Sequence, residues 1–280
     1  MIKKKEWLDN MLGAVVGDVI GSVYEIKNTK DKNFKLFSNN SSYTDDSVMS
    51  CAIAKACMEY LEDENKENFK LNVIENMRNL GKKHIYAGYG ETFIKWILTP
   101  FPVPYNSWGN GSAMRVSPVA WISKDLDECE QLAEMSASVT HNHPEGIKGA
   151  KAIAASVFLA KNGCSKENIF EYISEKYYDL NFTIDEIRED YKFDVSCQGS
   201  VPQAIKAFLE GKDFEDVVRL SVSLGGDSDT IAAMAASIAE GYYGIPKYIS
   251  DKTKSYLTED LIEILNDFDV ARKQINKKVK

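Results

Sequence analysis

Ser223-Leu224-Gly225-Gly226-Asp227-Ser228-Asp229-Thr230-Ile231-Ala232 is the stretch from which the rest of the chain can be read. A glycine pair opens it, two carboxylates two residues apart and a hydroxyl follow, and a run of small apolar residues comes next (Ala232, Ala233, Met234, Ala235, Ala236, Ile238, Ala239). The run predicts a tightly packed helix, and the glycines predict a loop that enters it. At such a junction Asp227 and Asp229 can turn toward one point, which mid-helix residues two apart cannot do. The two acids are therefore expected to share a ligand.

Far upstream, Tyr43-Thr44-Asp45-Asp46-Ser47 repeats the construction and leads into Val48, Met49, Ala52, Ile53 and Ala56. Carboxylates in a first turn gain from the helix dipole and from free N–H groups, so capping is the plain explanation for either cluster. Capping needs one acid per helix, however, and each cluster has a pair with a threonine beside it. Hard oxygen ligands of this kind suit Mg²⁺ or Mn²⁺. If the two mouths meet, four carboxylates are crowded together, and only protonation or cations relieve the repulsion. The expectation is a shared cation site; the alternative is two unrelated acidic helix starts.

Between and around these clusters the pattern is helical. Residues 6–24 read as a helix with Gly13, Gly17 and Gly21 on one face, where another backbone packs closely. Glu25, at its end, reads locally as a solvated helix terminus. Residues 27–43 are a polar loop of the length often used for lids or binding loops. Helices are expected over about 45–61, 69–80 and around Phe93–Ile97. After the proline-rich passage Pro100–Pro104, Ser107-Trp108-Gly109-Asn110-Gly111-Ser112-Ala113-Met114-Arg115 enters a helix over 113–121, a form that can cradle an anion. Further helices are expected at 126–139, 146–160, 199–224 (broken at Gly211) and 257–275, while 166–196 reads as peripheral. His141 and His143 stand two apart, but no cysteine or further histidine is nearby to complete a zinc tetrahedron. With no alternating strand pattern, the fold class is all-α.

Composition narrows the function. The 280 residues carry 34 Lys plus Arg against 42 Asp plus Glu, a formal charge of −8. That balance excludes a general nucleic-acid binder, though not a nucleotide-like ligand held by backbone amides and a metal. Five scattered cysteines without paired spacing point to a reducing, cytoplasmic setting. No apolar run reaches membrane-spanning length, so no membrane partner is expected.

Five pieces in order resemble the ADP-ribosylglycohydrolase family: the Gly-rich first helix closing on Glu25, Tyr43–Ser47, Trp108–Arg115, Thr140-His141 and Leu224–Ala232. The resemblance runs from about residue 11 to 245. It implies a compact single-domain all-α fold, an orthogonal multi-helix bundle with a binuclear metal site in a central cleft, and a single domain over 1–280. It implies two Mg²⁺ or Mn²⁺ ions held by Thr44, Asp45 and Asp46 from one mouth and by Asp227, Asp229 and Thr230 from the other. Glu25 or Asp46 would be the catalytic acid/base. Gly109, Asn110, Gly111 and Ser112 would hold the diphosphate, Trp108 would lie against the adenine with Ser107 beside it, and His141 would line the ribose side. The implied reaction is metal-dependent hydrolysis of the N- or O-glycosidic bond between ADP-ribose and a protein side chain or small conjugate. The alternatives are a non-catalytic ADP-ribose binder or structural relative, and a Mg²⁺-dependent nucleotide diphosphate hydrolase. The oligomeric state stays open, with a monomer expected.

Overall fold

The computed structural model describes residues 11–278, with side chains through 274. Among the described residues the chain forms fifteen helices and no strand. In order they are α1 (Gly13–Ile26), α2 (Asp45–Asp63), α3 (Lys66–Lys83), α4 (Glu91–Leu98), α5 (Gly111–Met114), α6 (Ser117–Ile122), α7 (Leu126–Ser138), α8 (Pro144–Lys161), α9 (Lys166–Lys176), α10 (Ile184–Ile187), α11 (Cys197–Glu210), α12 (Phe214–Ser223), α13 (Ser228–Tyr243), α14 (Lys247–Lys254) and α15 (Glu259–Lys278). One hydrophobic cluster runs from Met11 to Phe268 and joins nearly all of them.

Helix α13 is the axis of the bundle. Every residue from Ser228 to Glu240 is buried, as expected of a helix that is apolar all round. Its alanines admit α1, α8, α11 and α12 as close neighbours. The tightest seam is with α1, and the predicted glycine face makes it. A Cβ on Gly13 would lie 2.5 Å from the Ala236 carbonyl oxygen, one on Gly17 2.2 Å from the Ala232 carbonyl, and one on Gly21 2.4 Å from Asp229 Cα. All three obstacles are backbone, so the helices touch along three turns, and no larger residue could stand at these positions without prising them apart. Because Gly21 abuts Asp229 itself, the seam also sets where the acidic mouth of α13 sits relative to α1.

Helix ends are secured in two ways. Asn65, Asp125, Ser165, Thr183, Ser196 and Asp213 cap the helices that follow them through their own side chains. The acidic helices are capped from elsewhere. Glu240 on α13 accepts the N–H groups of Leu12 (3.2 Å) and Gly13 (2.8 Å) at the start of α1. Asp18 on α1 in turn accepts those of Thr44 (2.9 Å) and Ser47 (3.0 Å) at the start of α2. Each buried carboxylate thus ties one helix start to the next helix in a chain α13–α1–α2.

Several boundaries differ from the sequence expectation. The first helix continues through Glu25 to Ile26, and the part predicted over residues 6–10 lies outside the described residues. The helix expected over 113–121 is two short ones, α5 and α6, separated at Arg115 and Val116. A separate α14 precedes the C-terminal helix. The loop at 27–44 is strapped down: Lys30 Nζ donates to the carbonyls of Arg188 (2.5 Å), Leu224 (2.8 Å) and Tyr191 (3.1 Å), and Arg219 to those of Lys32 (3.0 Å) and Phe34 (2.8 Å). None of residues 27–43 lines the central cavity, so the lid expected from loop length is a strap instead. None of the described helices is long and apolar enough to cross a membrane.

Candidate active site

The acidic mouths of α2 and α13 meet. Asp46 Oδ2 accepts a hydrogen bond from the Thr230 hydroxyl (3.2 Å), although 184 positions separate the two, and the Thr44 hydroxyl, 3.3 Å from the same oxygen, lies closer to Asp18 Oδ1 (2.7 Å). The capping explanation fails for both clusters: the N-cap residues Thr44 and Asp227 make no side-chain capping bond. Asp125 and Asp213 elsewhere in the molecule do make one, and of the acids at these two mouths Asp229 accepts a first-turn N–H, that of Thr230 at 2.9 Å, so helix capping does not account for the pairs.

Five carboxylates share the space. Oxygens of Asp18, Asp46 and Asp229 lie within 4.8 Å of one another, and so do oxygens of Glu25, Asp227 and Asp229. Asp229 belongs to both groups and therefore stands between them. Asp46, Asp227, Asp229 and Thr230 are almost entirely buried, and Asp46 Oδ1 has no hydrogen-bond partner. An orphaned buried carboxylate oxygen is costly unless a cation or proton meets it. Burial raises every one of these carboxyls: Asp18 goes to about 6 although hydrogen bonds from Ser47 and Thr44 oppose the rise, and in neighbouring Asp45 (to about 8) and in Asp46 and Asp229 (well above the ordinary range) repulsion from the other acids adds to burial. In Asp227 the rise is opposed by a hydrogen bond from Asn110 Nδ2 at 2.7 Å. An all-oxygen donor set with one orphaned atom and crowded like charges fits hard divalent cations.

Glu25, half-buried in the last turn of α1, is not the solvated terminus its local sequence suggests. Its carboxyl is raised by desolvation and by Asp227 and Asp18. Asn28 fixes this end: its Nδ2 donates to the carbonyls of Glu25 (3.0 Å) and Gly226 (3.0 Å), and its Oδ1 accepts the Gly226 N–H (2.9 Å). Gly225 and Gly226 both take positive φ (72° and 71°), a turn that side-chain-bearing residues resist and that brings Asp227 round to face Glu25.

A cavity of about 630 Å³ opens onto the acids, within the range of small-molecule pockets. Its lining includes Glu25, Thr44, Asp45, Asp46, Asp227, Asp229 and Thr230, and on the other side Ser107, Trp108, Gly109, Asn110, Gly111 and His141. Ser112 is the exception among the expected ligand residues. It lies beneath the loop, fully buried, and its hydroxyl donates to the Gly146 carbonyl at 2.7 Å, so it supports the loop and does not line the cavity. Trp108 is about half exposed at the mouth, edge-on to His143.

Sequence reading missed three contributors. Asp18 is not among its candidates, yet an acid between Val16 and Val19, both fully buried, carries the signal of a buried polar group with a partner. Phe193 and Val195 line the cavity although 166–196 was read as peripheral. The Val195 carbonyl accepts the Asn110 N–H at 2.8 Å and the Trp108 carbonyl accepts the Cys197 N–H at 2.9 Å, so this segment is laced to the Gly-rich loop through an isolated bridge between Gly109 and Ser196.

A family model described as ADP-ribosylglycohydrolase matches residues 5–277. The chain belongs to the ADP-ribosylglycohydrolase family. Among curated relatives of this glycohydrolase, the ADP-ribosylhydrolase ARH3 of Homo sapiens is 26% identical, the match covering 90% of this chain and 90% of that protein. The ADP-ribosylarginine hydrolase Tri1 of Pseudomonas putida (strain GB-1) is 24% identical over 92% of this chain and 76% of its own length. A solved structure titled "ADP-ribosylglycohydrolase-related protein complex" has the same fold, with a TM-score of 0.66 at 22% identity, covering 94% of this chain and 95% of that one.

Proposed function

We propose that the protein is a metal-dependent hydrolase of the N- or O-glycosidic bond joining ADP-ribose to an acceptor, a modified protein side chain or a small conjugate, and that it thereby reverses ADP-ribosylation. The observation that carries the reading is the convergence of two acidic helix mouths, with Asp46 Oδ1 left unpartnered, at one end of a cavity whose other end is a Gly-rich loop. The family membership supports it.

Thr44, Asp45 and Asp46 from one mouth, and Asp227, Asp229 and Thr230 from the other, would hold two Mg²⁺ or Mn²⁺ ions, with Asp18 supporting the same cluster from beneath. Bound there, the cations would neutralise the crowded acids and lower the pKa of an attacking water. The chain's own groups do the rest. Gly109, Asn110 and Gly111 offer a concave backbone for the diphosphate, Trp108 an indole face for the adenine with Ser107 beside it, and His141 a wall near the ribose. The Glu25 carboxyl, raised toward the working range of a general base, takes the proton from water at the reacting sugar carbon, with Asp46 the other candidate for that task. The clustered carboxylates also favour the oxocarbenium-like charge that develops as the glycosidic bond breaks. The five cysteines, all free thiols, support a cytoplasmic setting. The whole chain is read as one catalytic domain, acting as a monomer.

The test is a panel of defined ADP-ribosylated substrates incubated with and without chelator, with the released product identified by mass. Free ADP-ribose that disappears on chelation is expected. AMP or inorganic phosphate would instead mark a nucleotide diphosphate hydrolase, and tight ADP-ribose binding without turnover a non-catalytic binder.

A further inference from the structure

Behind the Gly-rich loop lies a row of buried polar groups that the reaction itself does not use. Arg115 is 1% exposed, an unusual place for a guanidinium. Its Nη1 donates to the Gly111 carbonyl (2.8 Å), and its Nη2 to the Ser136 carbonyl (3.2 Å) and to Thr140 Oγ1 (2.9 Å). Thr140, fully buried, also lies 2.7 Å from His141 Nδ1. A hydroxyl has one proton to give. If His141 carried its proton on Nδ1, Thr140 Oγ1 would accept from both neighbours and its own proton would have no acceptor in a buried site. Of the two neutral tautomers only one satisfies both the Thr140 hydroxyl and Nδ1: Arg115 donates to Thr140, and Thr140 donates to Nδ1. The ring proton is then on Nε2. That atom lies close to the cavity face of the loop, 3.3 Å from where a Cβ on Gly111 would stand and 3.5 Å from one on Gly109. Burial, with the adjacent guanidinium adding to it, also keeps the ring uncharged.

We infer that Arg115 and Thr140 are positioning residues that lock His141 as a neutral Nε2–H donor aimed at an acceptor oxygen of the ligand lying on the Gly109–Gly111 loop. The inference rests on the proposed function for the identity of that ligand, but the tautomer does not. The same guanidinium grips the Gly111 carbonyl, so loop and donor are set by one group, and a ligand oxygen meets backbone amides and imidazole N–H already aligned. A side chain that accepts at Nε2, or an imidazolium with a rotating partner, would lack this preorganisation.

Two readouts on the wild type and three variants test it. In ¹⁵N-histidine-labelled protein without ligand, long-range ¹H–¹⁵N spectra near pH 7 should show His141 as the neutral Nε2–H tautomer, its signal assigned by loss in His141→Gln. Thr140→Ser keeps the hydroxyl and should keep both the tautomer and the affinity for ADP-ribose measured with Mg²⁺. Thr140→Val, nearly isosteric, should release the tautomer and weaken ADP-ribose binding by about tenfold or more. A wild-type His141 that is protonated or carries its proton on Nδ1 would overturn the inference, as would a Thr140→Val protein that binds ADP-ribose as tightly as Thr140→Ser. If ADP-ribose fails to bind the unaltered protein, the donor's proposed target falls together with the functional reading, and the spectrum alone decides the lock.

Discussion

The cavity has two ends built on opposite principles. The acidic end is assembled from helix starts held backbone to backbone, with Gly17 and Gly21 of α1 pressed against α13 and Asp18 and Glu240 serving as caps across helices. The ligand-loop end is assembled from irregular chain, 105–110 and 191–196, laced together by backbone hydrogen bonds between its two segments and by side chains beneath it, and carrying half-exposed Trp108 and Phe193 at the mouth. Helix-to-helix backbone contact is used where like charges must be forced together against repulsion, whereas the ligand loop is set by side-chain grips, Arg115 on the Gly111 carbonyl and Ser112 on that of Gly146, and only the rim residues Trp108 and Phe193 have room to adjust. Perturbing the first end should therefore alter both stability and chemistry, and perturbing the second chiefly affinity.

The largest effect is expected at the junction of the two mouths. Asp46→Asn should lower ADP-ribose release on the order of a thousandfold, in line with the several kcal/mol a metal site contributes to a transition state. The same substitution removes a buried acid that the metal-free fold must keep protonated at a cost, so the metal-free variant should melt higher than the metal-free wild type while losing the melting shift that Mg²⁺ gives. A variant that is inactive and also destabilised would point to a merely structural Asp46.

Next in size, Gly17→Ala should destabilise the fold by about 2–3 kcal/mol in denaturant titration, because the new methyl meets backbone 2.2 Å away and α13 is fixed on its other sides. Gly111→Ala, whose methyl would meet only the His141 ring at 3.3 Å, should change stability by less than about 1 kcal/mol. Equal losses at the two glycines would erase the proposed contrast. At the mouth, Trp108→Ala should weaken ADP-ribose binding by about tenfold, as removal of one stacking face does, with the melting temperature nearly unchanged.

The smallest and most diagnostic effect is on pH. Carboxyls whose folded pKa lies above the unfolded value hold protons that the unfolded chain has released, so the metal-free fold should lose stability as pH rises. The window opens near pH 4 and runs through about 6 for Asp18 and about 8 for Asp45. Melting temperatures of chelated protein should therefore fall between pH 5 and pH 8, and saturating Mg²⁺ should flatten or reverse the slope. A metal-free protein more stable at pH 8 than at pH 5 would mean that the acids are not crowded as described.

The same contrast explains what the sequence made legible. The acidic end could be read because its determinants are local: glycines spaced by four in α1, and an acid pair and threonine ahead of a small-residue helix, written twice. Asp18 escaped because an acid in an apolar run signals only that a partner exists, and the partners, Thr44 and Ser47, reach it only in the folded chain. Glu25 looked solvated for the same reason, since Asn28 and the Gly225-Gly226 turn that enclose it are joined by tertiary bonds. At the loop end, Trp108, Gly109 and Gly111 stood out by composition, but Phe193 and Val195 did not, because only backbone pairing across Gly109 and Ser196 brings them to the cavity. The strap at 27–43 differs from the expected lid or binding loop because length alone cannot tell a mobile loop from one held by Lys30 and Arg219.

Whether the two helix mouths act together as one cation site is measured most directly by Mn²⁺ binding to the chelated protein, by calorimetry or by paramagnetic resonance of the free ion. Two ions per chain are expected for the wild type, with at least one lost in Asp46→Asn and in Asp229→Asn although the residues belong to different helices. Unchanged stoichiometry and affinity in both variants would contradict a shared site.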